Sequence, residues 1–454
     1  MRKKHPTGSF REVLAIAIPL VISNSAFMVM QFCDRLFLAN YSELAIQAAV
    51  PAGNLAFTLI CLFTATAGYS ANLVAQFHGA GKFLKCLHAT MQGIYFTLLF
   101  MPLVLLLIPL GNFIISLFGH APELAQQEGV YLKWMVLCAL PNGLSWSISG
   151  FFTGQGRLKM TTISNIIGSI VNIVLDYALI FGKLGFPEMG LEGAAIATFI
   201  ASFVPPSIQF FYMLKSRHVR EVGLLDAFRP EFKLMKKLIR FGFPAGVQFL
   251  LDNGAWTLFL LVTATLDAVS LTVSNIVLSV NSLAFSPVMG FGTAASILCG
   301  QYLGAGDSVN AKRSVRATMK LGLIYMSVIG SVFVLFPETL ISLFVSSDST
   351  VVDDPQFMRI GRTLMYLMTV WGFFDTIILV IVGGLKGAGD TKFTMWFLAL
   401  VAWLLWIPGE VVILCAGGGI VEAWIWMTIY VGILSVGLIK RWRGGVWKHL
   451  RMVH

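Results

Sequence analysis

Charge is scarce in this sequence. Asp, Glu, Lys and Arg make up 12% of its 454 residues, against about 25% in a soluble globular protein. A chain so poor in charge does not read as a soluble domain or a solvated interaction tail. Cysteine is scarce too: Cys33, Cys61, Cys86, Cys138, Cys299 and Cys415 form no CxxC and mostly lie inside apolar runs. That excludes a disulfide scaffold or a zinc site and reads them as small buried hydrophobes. The seven histidines all fall in loops, at the ends of apolar runs or near the termini, and no HExxH, GxSxG or Walker pattern occurs. An integral-membrane enzyme needs a nucleophile with a base, or metal ligands, so an enzyme is not expected. "GAGD" and "QGRLK" follow no strand, so their glycines read as tight turns rather than phosphate loops.

What is present is grease. Hydrophobic residues make up 57% of the chain and its mean hydropathy is +0.80. Apolar runs of about 20 residues, the length that crosses a bilayer, recur from end to end. They predict twelve helical spans at about 11–40, 48–77, 88–118, 127–153, 160–182, 190–214, 235–265, 271–303, 318–345, 358–386, 393–416 and 419–440. The first run is too long for a signal-peptide core and lacks a small-residue cleavage site, so it reads as a retained span. The net charge is +10, but it is not spread as a nucleic-acid surface would be. Basic loops ("RKKH", "GKFLKCLH", "GRLK", "AKRSVR", "KRWRGGVWKHLR") alternate with neutral or acidic ones ("YSELAIQ", "GFPEMGLEG", "SSDSTVVDDPQ", "AGGG"). This is the positive-inside pattern. It predicts a multi-pass protein of the cell (cytoplasmic) membrane with both termini in the cytoplasm and with lipid, not nucleic acid, as its neighbour.

The chain repeats itself. "AIPLVIS" answers "GFPAGVQ", "QFHGAGK" answers "QYLGAGD", "ISLFG" answers "ISLFV", and "GQGRLKMT" answers "GAGDTKFT", at separations of 225, 225, 226 and 233 residues. Two six-span halves follow: a first lobe at 1–214, a cytoplasmic linker at 215–238 and a second lobe at 239–454. With six spans each, both halves start on the same side, so the repeats are parallel and related by a pseudo-two-fold along the membrane normal. The predicted fold class is therefore all-α integral membrane, an architecture common among secondary transporters.

Against that background the buried charges stand out. "FMVMQFCDRLFLAN" places Asp34 and Arg35 inside a span, where a charge is costly and normally faces protein or a water-filled cavity. Asp176, Asp252 and Asp375 are likewise inside spans, and Glu410 lies nearer the outer surface. Asp34 and Asp176 sit about six residues from the outer ends of their spans, roughly 9 Å deep. Asn165, Ser169, Asn172 and Asp176 line one face of the fifth span, and Thr198 lies at similar depth in the sixth. Carboxylates, an amide and a hydroxyl are hard oxygen ligands for a small cation; crowded carboxylates can equally hold a proton between them. The plainer alternative, side chains that only glue helices together, stays open for Asn165 and Ser169. Gln248 and Trp256 flank Asp252 at four-residue steps, and Trp371 precedes Asp375 by four. A carboxylate beside an aromatic face suits an organic cation, although Trp256 reads more simply as packing. Gly383 and Gly387 read as close-packing positions.

Taken in order, the first-span acid with "AAVPAGNL", the "AQFHGAGK" loop, "NIVLDYALIFG…GFPEMGLEGAAIAT" and "GGLKGAGDT" resemble the multidrug and toxic compound extrusion (MATE) family, NorM-like bacterial branch, over essentially the whole chain. The resemblance implies cation-coupled export: a secondary multidrug efflux antiporter exchanging extracellular Na⁺ or H⁺ for cytoplasmic amphipathic organic cations by alternating access, with no cofactor beyond the coupling ion. By position it implies a cation-coupling site at Asp34, Asn172, Asp176 and Thr198, with Na⁺ held by Asp34, Asn172 and Asp176 if sodium is the ion. It also implies a second cation or substrate site around Asp252 and Asp375, to which Gln248 and Trp371 are near neighbours. Two departures stand out: the seventh span carries Asp252 where that branch has Glu, and Arg35 directly follows the first-span acid. The expected partners are cationic drug-like molecules and membrane lipids, with the chain acting as a monomer. A lipid-precursor flippase of related fold is the alternative, but it calls for a cationic cavity and these spans supply acids.

Overall fold

The structure is a computed structural model that describes residues 6–216, 219, 226, 228–344, 355–450 and 452. A chain in lipid must pair its backbone groups internally, and the long apolar runs do so as helices; no strand occurs among the described residues. By length and composition, eleven helices among the described residues can cross a membrane, and twelve when one bent pair is counted as a single span. In order they are α1 (Phe10–Tyr41), α2 (Glu43–Gly79), α3 (Phe83–Leu105), α4 (Pro122–Gly154), α5 (Lys159–Ile180) and α6 (Gly190–Leu214). The second set is α7 (Phe232–Thr263), α8 (Ala268–Gly304), α9 (Ser308–Leu335), α10 (Gln356–Ala388), α11 (Thr391–Cys415) and α12 (Ile420–Gly444). Helix α8 is the bent one, by 47°.

Three expected boundaries shift. The run at 88–118 is two helices, α3 and a short Leu107–Leu117. The run at 318–345 starts earlier, as α9 from Ser308, and its end breaks at Phe336 into Pro337–Ser342. The basic connection expected at 215–238 is shorter, because α7 begins at Phe232; its residues 217, 218, 220–225 and 227, and most of "SSDSTVVDDPQ", lie outside the described residues.

The described residues group into two compact units, one within Pro19–Leu250 and Met452–His454, the other within Met1–Ile18 and Leu251–Arg451. In the first, a run of buried alanines on α2 (Ala45, Ala48, Ala52, Ala56) packs with Leu132, Val136 and Ile180. A second cluster gathers Leu73, Phe77, Leu87, Phe151, Phe152 and Leu238. In the other unit, α10 lies so close to α8 that a methyl at Gly383 or Gly387 would fall on the carbonyl oxygens of Gly292 and Ser296. Small residues allow that approach. Asp267 caps α8 by accepting from the Ser270 N–H (2.9 Å), and Asp307 caps α9 by accepting from Asn310 (2.9 Å). Hydrogen bonds from Ser270 hold the Asp267 carboxyl below the usual range.

The sequence repeats share their turns. Gly81 and Gly306 both adopt left-handed φ, +72° and +80°, and in both turns an N–H five residues on bonds back to the helix: Lys82 to Phe77 (2.9 Å), Asp307 to Tyr302 (2.8 Å). Gly156 and Gly389 repeat the device, with Arg157 bonded to Phe152 and Asp390 to Leu385. This is the glycine-ended helix stop, used four times at matched positions.

Candidate functional site

Helices α1 and α5 are fastened at two levels. At one level the Thr162 hydroxyl donates to the Pro19 carbonyl (2.9 Å) and the Asn165 amide donates to Ser23 Oγ (2.7 Å). At the other, Phe37 packs edge-on against Tyr177 (6.0 Å) and Phe181 (6.1 Å), and Tyr41 against Phe181 (6.2 Å). Asp34 and Asp176 lie between these fastenings. Asp176 is 0% exposed; Asp34 is half-buried with its Oδ1 enclosed. The two are close enough for the charge of Asp34 to act on Asp176.

Asn172, one turn before Asp176, is 1% exposed, and its Nδ2 donates to Thr198 Oγ1 on α6 (3.3 Å). That bond leaves the amide oxygen free. Four enclosed oxygens result, Asn172 Oδ1, Asp34 Oδ1 and both of Asp176, with no hydrogen-bond partner among the described residues. Burying a carboxylate unpaired costs several kcal/mol. The donor set, all oxygen and doubly acidic, suits a small hard cation or a shared proton. No group of three or more His, Cys, Asp or Glu that could hold a metal occurs among the described residues, which leaves untouched a site completed by an amide and a hydroxyl.

The polar stripe on α5 therefore divides. Asn165 is engaged with Ser23 and glues helices, whereas Asn172 and Asp176 keep buried, unpartnered oxygens, and Asp176 lies within reach of the charge of Asp34. Arg35 is exposed. Sequence reasoning missed Tyr131. It is buried on α4, within electrostatic reach of both acids; a hydroxyl ten residues into a span was the only available signal.

In the other unit Asp252 (α7) and Asp375 (α10) are half-buried, and their charges act on one another. Tyr430 on α12 lies within electrostatic reach of both. Trp371 is half-buried one turn before Asp375. Trp256 packs on Phe259 (5.5 Å), which packs on Trp406 (5.6 Å), so its role is core packing. Gln248, 4% exposed, precedes Asp252 by one turn but falls within the Pro19–Leu250 unit.

The MatE family model matches residues 19–178 and 244–412. A probable multidrug resistance protein NorM from Thermotoga maritima is 27% identical over 443 residues, covering 96% of this chain and 93% of the relative. Among solved structures, an outward-facing multidrug resistance MATE family transporter of the MOP superfamily superposes with a TM-score of 0.85 at 17% identity, over 98% of this chain and 97% of that one. The eukaryotic MATE transporter AtDTX14 gives 0.83 at 22% identity, covering 96% of each chain. At such identities the structures speak for the fold alone.

Proposed function

The chain belongs to the MatE family, and from that premise we propose that it is a secondary antiporter that exports amphipathic organic cations in exchange for an entering Na⁺ or H⁺. The curated relatives bear the name multidrug resistance protein, which supports a drug-like cargo. The observation that carries the reading is the set of four enclosed, unpartnered oxygens of Asp34, Asn172 and Asp176. Left charged and bare, such a site is expensive; a bound cation offsets that charge in place.

Ion and cargo are then coupled through conformation. The cation favours the state in which the Asp34–Asp176 site is closed around it, and a cationic cargo favours a state in which acids are free to attract it. Each ligand shifts the equilibrium only by its difference in affinity between the two states, and the coupling is reciprocal. Asp252 and Asp375, with Trp371 beside them, serve as the second cation or cargo site. In this reading the six-span halves 1–214 and 239–454 alternate access, joined by 215–238, with both termini in the cytoplasm, and the chain works as a monomer.

The test is purified protein in liposomes with imposed Na⁺ and pH gradients and a fluorescent cationic dye. Dye movement driven by one gradient identifies the ion. Asp34→Asn is expected to abolish gradient-driven movement while leaving the protein folded; undiminished movement removes Asp34 from coupling.

A further inference from the structure

One buried acid has no part in this scheme. Glu410 is 0% exposed, on the Ile407–Cys415 segment of α11, and neither of its carboxyl oxygens has a hydrogen-bond partner among the described residues. One turn before it, Trp406 is 4% exposed and its indole N–H is likewise without a partner. Residues four apart share a helix face, so a donor and two acceptors open on the same side of α11.

The backbone aims them there. Ala402–Trp406 forms a π turn, with the Ile407 N–H bonded to the Ala402 carbonyl. One extra residue in a turn rotates everything after it by about 100°, and such turns recur at functional sites. The wall behind is aromatic. Trp406 stacks on Tyr430 (4.7 Å) and packs on Phe259 (5.6 Å), the Trp426 N–H donates to the Trp406 carbonyl (3.0 Å), and Gly409 lies against the Trp426 ring.

We propose that Glu410 is a proton-binding site in its own right, loaded in the conformation described here and separate from the two acid pairs. A fully buried carboxylate, with no cation or donor from the described residues bonded to it, is stable only as the neutral acid. A metal ion is the wrong occupant, because one carboxyl is too few oxygens and an indole N–H repels a cation. The π turn has no ionisable side chain. On α12 the ionisable groups are Glu422, whose carboxylate accepts from the Gly419 N–H (2.9 Å), Tyr430 stacked on Trp406, and Lys440, Arg441 and Arg443, roughly 20–25 Å along the helix from Trp426. On α7 they are Asp252 and, at its start, Lys233, Lys236, Lys237 and Arg240. Tyr430 also stands within electrostatic reach of Asp252 and Asp375. Loss of the proton from Glu410 to water leaves a bare charge in the wall that supports that pair, so the wall must open.

The inference gains its transport meaning from the antiport reading, but its test needs no transport. Infrared spectra of the protein in lipid, recorded in Asp34→Asn and in unsubstituted protein, are expected to show the carbonyl stretch of a protonated carboxyl in an apolar setting, fading as the medium is made alkaline. Glu410→Gln is expected to lose that band. A Glu410→Gln spectrum identical to the parent overturns the proposal. So does a Glu410 band that never responds to pH, which marks a permanently neutral structural acid. Because the readout is spectroscopic, failure of gradient-driven efflux would leave it standing, and its failure would leave the Asp34–Asp176 reading standing.

Discussion

At Thr198 the chemistry is narrow enough to compute a consequence. Its hydroxyl is the acceptor that holds the Asn172 amide N–H, and so fixes the amide with its oxygen unpartnered. Thr198→Val keeps the shape and removes the acceptor. A buried donor left unpaired costs about 1–3 kcal/mol, so the cation concentration giving half-maximal efflux is expected to rise by about tenfold, with maximal rate little changed. A titration of dye efflux against the driving ion checks this, and an unchanged midpoint would dismiss Thr198 as a support. Asp34, Asn172, Asp176 and Thr198 were legible in the sequence because an ionisable group in an apolar run demands a reason and helical spacing lines up its helpers. Tyr131 was not. A tyrosine in a span is ordinary, and only the packing of α4 beside α1 and α5 brings it to the acids. Glu410 was visible as an oddity, but the π turn that buries it has nothing distinctive in its composition, "AWLLW".

Elements carry the next set of consequences. The spans were legible from apolar length alone, and so were the glycine stops. The breaks at Cys138 and Phe203 inside α4 and α6 were legible too, since Pro141 and Pro205–Pro206 follow them and cannot donate to the helix ladder. The break at Tyr69 inside α2 was not, because no proline marks it. Gly383 gives a direct test of a contact between neighbouring helices. Gly383→Ala drives a methyl onto the Gly292 carbonyl, and overpacking of this kind costs about 1–3 kcal/mol. A lower Tm in detergent is expected, whereas an unchanged Tm would mean α8 and α10 separate freely. The N-terminal end of α3 offers a second test. Glu231 accepts from Lys85 Nζ (2.6 and 2.8 Å) and bonds His88 Nδ1 (2.5 Å), while His88 Nε2 meets the Asp226 carbonyl (2.7 Å). Burial raises the Glu231 carboxyl, but its bonds to Lys85 and His88 outweigh that and hold it below the ordinary range. A depressed folded pKa stabilises above the ordinary Glu value of about 4.3, and the contribution fades as pH falls through the folded value. Glu231→Gln is therefore expected to lower Tm at neutral pH by the equivalent of about 1–2 kcal/mol and to match the parent once the medium is well below pH 4.

For the whole molecule the open question is parity, and α8 decides it. If α8 crosses the membrane, there are twelve spans and the termini share a side; if it turns back at its 47° bend, there are eleven and they do not. Length argues for crossing, since Ala268–Gly304 is 37 residues, about 55 Å at helical rise, well beyond the roughly 30 Å hydrocarbon core. The loop charges argue the same way, neutral to acidic before α8 and basic after it. Among the six free cysteines Cys415 alone is exposed. It ends α11 in a loop expected outside, so a membrane-impermeant thiol reagent should label it in intact cells. With Cys415→Ser as background, Thr265→Cys and Ala305→Cys place one exposed thiol at each end of α8. The first is expected to label from outside and the second only after the membrane is opened. Labelling of both from one side would make α8 a re-entrant hairpin, separate the termini, and break the parallel relation of the two halves on which alternating access rests.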